Sequence, residues 1–315
     1  MQRFLLAKRA WLVLFAVVCG VYFYGLGAVP LVGPDEPRYA EVAREMFARG
    51  DLVTPTLGGH TWFEKPALVY WLMMAGYHVL GVTEFAARAG SALAGVLTFL
   101  LVAWAARRAE FESGERLRGF GITCAAVTAS GAGLLAFARA ASFDVVLTAT
   151  LTASLACFYA SEVERDERSR RLLLAGFYAC VGLSLLAKGL VGVVIPAGVV
   201  GVYFLLRRRW PVRPGLWWGA LLSLAVAATW YAPVAARHGR VFFDEFIVQH
   251  HFARYVSDRY HHAQPFYFFL PVMLLLALPW TPFLLNGLAA SGETNARAED
   301  AETKLRVLAL AWLVV

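Results

Sequence analysis

The chain has 315 residues, of which 59% are hydrophobic, 14% aromatic and only 16% charged. That balance excludes an ordinary soluble domain. The formal net charge of +7 would suggest nucleic acid in a soluble protein, but here the arginines cluster between apolar runs. This pattern marks membrane orientation and not nucleic-acid binding.

Apolar runs of about 17–25 residues cross the hydrocarbon core as helices. Such runs occupy 11–30, 86–106, 119–138, 143–160, 216–235 and 266–289, while 172–206 is long enough for two helices and is interrupted by Ala187-Lys188-Gly189. The expectation is an all-α polytopic membrane protein. The first run follows Arg3, Lys8 and Arg9. It is too long and too aromatic for a removable signal peptide and has no small-residue cleavage site after it, so it reads as a retained helix.

Beyond that run lies Val32-Gly-Pro-Asp-Glu-Pro-Arg-Tyr-Ala-Glu41. Asp35 and Glu36 sit in water but beside the lipid surface, where an enzyme acting on a lipid would keep a base. From Pro37 to Arg49, Tyr39, Val42, Ala43, Met46 and Phe47 fall on one helical face, with Arg38, Glu41, Arg44, Glu45 and Arg49 on the rest. Pro37 suits the first helical position and Gly50 the residue after the last. This helix is too short to span, and is expected to lie in the interface with its apolar face in lipid. Asp35 and Glu36 either belong to a site or only cap the helix.

Trp62-Phe-Glu-Lys-Pro66 places Glu64 and Lys65 where the next helix begins, since Pro66 suits a first helical residue. A lysine at the positive end of a helix is unfavourable unless an anion such as phosphate binds there; the competing reading is a snorkelling interfacial lysine. If segment 67–82 crossed fully, the loop carrying Arg107, Arg108, Arg116 and Arg118 would fall on the side of the acids. The positive-inside rule therefore predicts that 67–82 is short, dipping or re-entrant.

The turn Ala138-Arg-Ala-Ala-Ser-Phe-Asp144 joins two runs and is either solvated or part of a site. Arg165 to Arg171, and Arg207-Arg208-Arg209 with Arg213, mark further cytoplasmic loops, which leaves loops 31–65 and 236–265 outside. Lys188 reads as a turn cation. The cysteines, Cys19, Cys124, Cys157 and Cys180, lie in apolar runs without metal-ligand spacing and read as small buried hydrophobes. Five of the seven histidines fall between His238 and His262, in the loop with Gln249-His-His-Phe-Ala-Arg-Tyr255 and Tyr260-His-His-Ala-Gln-Pro265. They suit either a divalent metal or a wet aromatic belt.

The order Asp-Glu-x-Arg-Tyr-Ala-Glu, Glu-Lys-Pro-x-Leu-x-Tyr-Trp, Ala-Arg-x-x-x-x-Asp, His-x-x-Arg-aromatic and Pro-Phe-aromatic-aromatic resembles the bacterial GT-C glycosyltransferases. Within them it is most similar to the aminoarabinose transferases that modify lipid A, relatives of the protein O-mannosyltransferases. The resemblance covers roughly residues 9–290. It implies a GT-C-type transmembrane bundle with interfacial helices in the first outer loop. It further implies inverting transfer of a sugar from a polyprenyl-phosphate donor to a glycolipid acceptor, with the site facing the periplasm from the bacterial inner membrane. By the same resemblance Asp35 is the general base, Arg38, Tyr39 and Lys65 hold the lipid phosphate, and Asp144 shapes the site or contacts the acceptor. Glu64 and His251 are metal ligands, zinc by ligand type; a glutamate usually precedes that histidine, and here the position is His250.

The chemistry suits these residues independently: a phosphate leaving group needs its charge offset, and the nucleophile needs a base. One displacement with one base gives inversion. The alternatives are transfer to protein or another glycan, a transporter and a scaffold. A transporter would place ionisable groups near the midplane on repeated broken helices; here they lie at helix ends without a repeat. The expected organisation is a catalytic core over 1–290, a polar loop over 291–304, and over 305–315 the start of a truncated transmembrane helix.

Overall fold

The computed structural model describes residues 2–209, 216–246, 265–290 and 296–315. In chain order its helices are α1 (Gln2–Phe23), α2 (Asp35–Arg49), α3 (Leu68–Leu80), α4 (Glu84–Ser113), α5 (Phe120–Ser130), α6 (Ala132–Ala138) and α7 (Phe143–Val163). Then follow α8 (Glu167–Lys188), α9 (Val191–Leu206), α10 (Leu216–Phe242), α11 (Phe269–Leu276), α12 (Thr281–Ala290) and α13 (Ala301–Val314). The described strands are β1 (Thr56–Leu57) and β2 (His60–Thr61), an antiparallel hairpin pairing Thr56 with Thr61. Among the described residues four helices are long and apolar enough to cross a membrane, or up to six if each of two bent pairs is one span. The chain is a multi-pass membrane protein.

Close helix approach comes from small residues, as membrane packing requires where lipid is as apolar as leucine. A Cβ on Gly95 of α4 would sit 2.6 Å from the Ala138 Cβ and 2.8 Å from the Tyr22 ring. Alanines fill the rest of that seam: Ala86, Ala87, Ala92, Ala103, Ala106 and Ala109 of α4 are all buried.

Several expected spans are reshaped. The run 11–30 is helical only to Phe23; beyond it the carbonyls of Leu26, Val29 and Pro30 are taken by the Arg88 side chain. The stretch 172–206 breaks where expected, with Gly189 at φ 74° between α8 and α9. The run 119–138 bends by 60° between α5 and α6, and the run 266–289 by 114° between α11 and α12. The two breaks meet. The Ala132 N–H donates to the Leu278 carbonyl (2.8 Å) and the Trp280 indole to Ser130 Oγ (3.0 Å). Irregular backbone inside a membrane protein survives where protein satisfies it.

α3 has 13 residues, about 20 Å of helix against a hydrocarbon core of about 30 Å. Both its ends stay at one end of the bundle. Near its start Tyr70 packs on Phe143, and near its end the Tyr77 hydroxyl donates to the Ala40 carbonyl of α2 (3.2 Å). The expectation of a short, non-spanning 67–82 holds. The expectation that α2 rests its apolar face in lipid does not. Tyr39, Val42, Ala43 and Met46 are buried within the protein, because α3 lies along that face and covers it. Gly50, at φ 64°, closes α2 with its N–H on the Met46 and Phe47 carbonyls.

Candidate active site

Three segments remote in sequence are tied together by one buried ion pair, Glu36 with Arg88 (2.8 Å). Glu36 also accepts from the backbone N–H groups of Val32 (2.7 Å) and Ala141 (2.6 Å). Arg88 spends its remaining donors on the loop between α1 and α2. The loop that carries Asp35 is thereby fixed to the turn that leads into Asp144. Burial pushes the Glu36 carboxyl up, but the Arg88 bond and the two N–H groups outweigh it and hold it below its ordinary value. Glu36 is therefore neither a free acid nor a plain helix cap.

Asp35, next in the chain, faces solvent with its side chain 60% exposed and pairs with Arg38. Arg38 stands at the centre of the site. Its other guanidinium nitrogen lies 3.7 Å from Glu64, and its plane rests by the Tyr39 and Trp62 rings at 5.6 and 5.8 Å. Burial works against the Arg38 charge, but Glu64 and Asp35 prevail and raise its pKa. Lys65 lies 3.6 Å from the other oxygen of Glu64. Burial and the nearby Asp35 and Glu64 charges push the Tyr39 phenol up to about 12, so at neutral pH it is a hydrogen-bond donor.

Around Arg38 three buried donors, Arg38 Nε, Trp62 Nε1 and the Tyr70 hydroxyl, have no hydrogen-bond partner among the described residues. Leaving a buried donor unmet costs about 1–3 kcal/mol, and unmet groups in one place mark where an acceptor-rich group is to bind. Phe143 stacks edge-on against both Tyr39 (4.7 Å) and Tyr70 (5.3 Å), which brings the following residue, Asp144, to the same end. Ser142 caps α7 by accepting from the Asp144 N–H (3.1 Å).

Asp144 is ion-paired with Lys188, the last residue of α8. Reading Lys188 as a turn cation missed this. The available signal was the break Ala187-Lys188-Gly189, which ends α8 at the end of the bundle where its antiparallel neighbour α7 begins. His238 also reaches the site's margin, within 2.9 Å of Thr54 Oγ1 and edge-on to Phe63 at 5.0 Å.

The structure thus gathers Asp35, Arg38, Tyr39, Glu64, Lys65 and Asp144. His251, with His250, Arg254 and Tyr255, lies outside the described residues. Among the described residues no group of three or more His, Cys, Asp or Glu could hold a metal ion. Glu64 has two cations within 3.7 Å. Of the two expected metal ligands, Glu64 is among the described residues and His251 is not.

Membrane helices that converge on a paired set of acids and cations at one end, with interfacial helices laid across it, define a GT-C-type transmembrane bundle. The chain belongs to the dolichyl-phosphate-mannose-protein mannosyltransferase family, whose profile matches residues 7–289. It is similar to a protein of Edwardsiella ictaluri named undecaprenyl phosphate-alpha-4-amino-4-deoxy-L-arabinose arabinosyl transferase, at 32% identity over 82% of this chain and 47% of that one. A Pseudomonas aeruginosa protein of the same name is 32% identical over 98% of this chain and 54% of its own length. The crystal structure of ArnT from Cupriavidus metallidurans bound to undecaprenyl phosphate superimposes with a TM-score of 0.81 at 32% identity, covering 96% of this chain and 54% of that one. The chain spans about half the length of the curated relatives it matches.

Proposed function

We propose that this chain carries the donor-binding and base-bearing part of an inverting glycosyltransferase. It moves a sugar from a polyprenyl-phosphate carrier to a lipid A-like glycolipid on the periplasmic face of a bacterial inner membrane. The observation that carries the reading is the cluster of unmet donors, Arg38 Nε, Trp62 Nε1 and the Tyr70 hydroxyl, together with Lys65, which shares Glu64 with Arg38, and the exposed carboxylate of Asp35 paired with Arg38.

A donor phosphate placed there accepts from these groups and from the Tyr39 hydroxyl. Arg38 and Lys65 offset the charge that grows on the leaving phosphate as the glycosidic C–O bond breaks. Glu64, 3.7 Å from Arg38 and 3.6 Å from Lys65, offsets the repulsion between the two cations. When Arg38 turns to the phosphate it releases Asp35, whose carboxylate then takes the proton from the attacking acceptor oxygen. The acceptor attacks the face opposite the phosphate in a single displacement, so the anomeric centre inverts. Asp144, paired with Lys188, lines the acceptor side.

The relatives' printed name supports an aminoarabinose donor and the family's name a mannose donor and a protein acceptor; the glycolipid reading follows the relatives. Mass spectrometry of polyprenyl-phosphate sugars and of lipid A, with and without the gene, tests it. Loss of one sugar substituent from lipid A with accumulation of the matching carrier is the expected result. Unchanged lipid A with an altered glycoprotein would move the acceptor to protein, and no change in any carrier-linked sugar would defeat the reading.

A further inference from the structure

The end of the bundle away from Asp35 holds a cavity of about 600 Å³. One stripe of α4 forms its floor: Leu100, Trp104, Arg107, Arg108 and Phe111 recur at helical spacing. Trp11 of α1 closes one side and Arg165, with Glu164, the other. Arg88, bonded to Glu36 at the site end, and Arg107 are 19 residues apart on one helix, about 28 Å at 1.5 Å per residue. That distance matches a hydrocarbon core of about 30 Å, so the cavity opens at the opposite membrane surface.

Its cations are held in place by aromatic rings and are only partly neutralised. The Arg107 guanidinium lies over the Trp11 ring at 5.5 Å and that of Arg108 over Trp104 at 5.4 Å. Stacking on an indole fixes the plane and leaves the N–H edge free for oxygen ligands. Arg108 shares an N–H with Glu164 at 3.3 Å and Arg165 pairs with Glu112 at 3.3 Å. Arg107 has no ion pair among the described residues, and three arginines face two glutamates around the cavity. The wall is apolar toward the bilayer, at Leu100 and Ala103, and basic toward water. A soluble anion has no use for the first half, and a neutral lipid none for the second.

We propose that this cavity binds an anionic glycerophospholipid of the leaflet opposite the active site. Its headgroup phosphate sits between Arg107 and Arg108, and the start of an acyl chain runs along Leu100 and Trp11. Arginine gives phosphate two parallel hydrogen bonds, and tryptophan favours this depth of the membrane. The site is independent of the glycosyl-transfer reading and stands or falls without it.

The test is tryptophan quenching in phosphatidylcholine nanodiscs doped with brominated phosphatidylglycerol or, separately, brominated phosphatidylcholine. The signal from the cavity is isolated by subtracting W104F. Wild type is expected to be quenched at lower mole fraction by the anionic lipid, and R107Q/R108Q to lose about fivefold of that preference per arginine. Glutamine keeps the Cβ and Cγ that pack on Gly121. R107K/R108K keeps the charge and loses the paired hydrogen bonds, and is expected to fall between wild type and R107Q/R108Q. Equal quenching of wild type by the two lipids would overturn the proposal. So would a preference intact in R107Q/R108Q.

Discussion

Two adjacent carboxylates have opposite fates. Asp35 is 60% exposed at the side chain and Glu36 10%, and spacing along the chain does not distinguish them because both precede Pro37. Only the partners of Glu36 do; beside the nearby Val32 N–H, they are Arg88 and Ala141, 52 and 105 residues away. Asp35→Asn is expected to lower transfer about 100- to 10,000-fold, the range for loss of a general base, while leaving the thermal midpoint of the detergent-purified protein unchanged. Near-normal transfer at matched expression would remove Asp35 from that role. Glu36→Gln is expected to do the reverse. Breaking a buried pair costs about 3–5 kcal/mol, so the protein should be recovered poorly and unfold early. The pH dependence has a definite sign. The Glu36 pKa is lowered in the folded state, so its contribution is present above its unfolded value and is lost as pH falls through the folded one. Acidification below the ordinary carboxylate range should lower the midpoint of wild type more steeply than that of Glu36→Gln. Lys65→Ala should raise the donor concentration at half-saturation about tenfold or more, as expected for a charged hydrogen bond, with acceptor dependence unaltered. Unchanged donor saturation would return Lys65 to a snorkelling role.

At the scale of elements, the shortness of α3 and the break after Lys188 were legible and axis directions were not. The segment 67–82 is too short to cross, so the 13-residue α3 follows from counting and from the charge rule together. The 60° and 114° bends escape hydropathy, which measures transfer to lipid and not axis direction; Gly131 and Pro279 were the local signals. The face of α2 was also misassigned, because a periodic apolar stripe fits lipid and protein equally well. The structure keeps α2, the hairpin and α3 at one end of the bundle and the arginine clusters at the other. A cysteine placed at Gly58, in the hairpin turn, should react with an impermeant reagent added outside spheroplasts, and one placed at Gly114, beside Arg116, should not. Both positions are at positive φ with open space around them, so labelling must be compared with folded protein recovered. Reaction at both would mean that the charge rule fails at this loop.

For the whole molecule, composition dictated a bundle and charge placement dictated two unlike ends, while closure of the site depends on contacts that composition does not encode. Asp144 with Lys188 is one such contact, made across 44 residues. A second is expected between Glu64, just before α3, and His251, which follows α10 in the sequence. That link is what a bound divalent ion would provide, since a carboxylate and a neutral imidazole together suit zinc. Ligands nearly two hundred residues apart in the sequence would also tie remote parts of the chain together, so metal removal should lower the thermal midpoint as well as the rate. Because either substitution dismantles the same centre, Glu64→Gln with His251→Ala should cost little more than one change alone. Bound metal, transfer rate and midpoint measured for both single variants and the double variant decide the matter. Fully additive losses, or an active purified protein free of metal, would leave Glu64 as the counter-charge to Arg38 and Lys65 and nothing more; loss of metal only with His250→Ala would move the ligand by one residue.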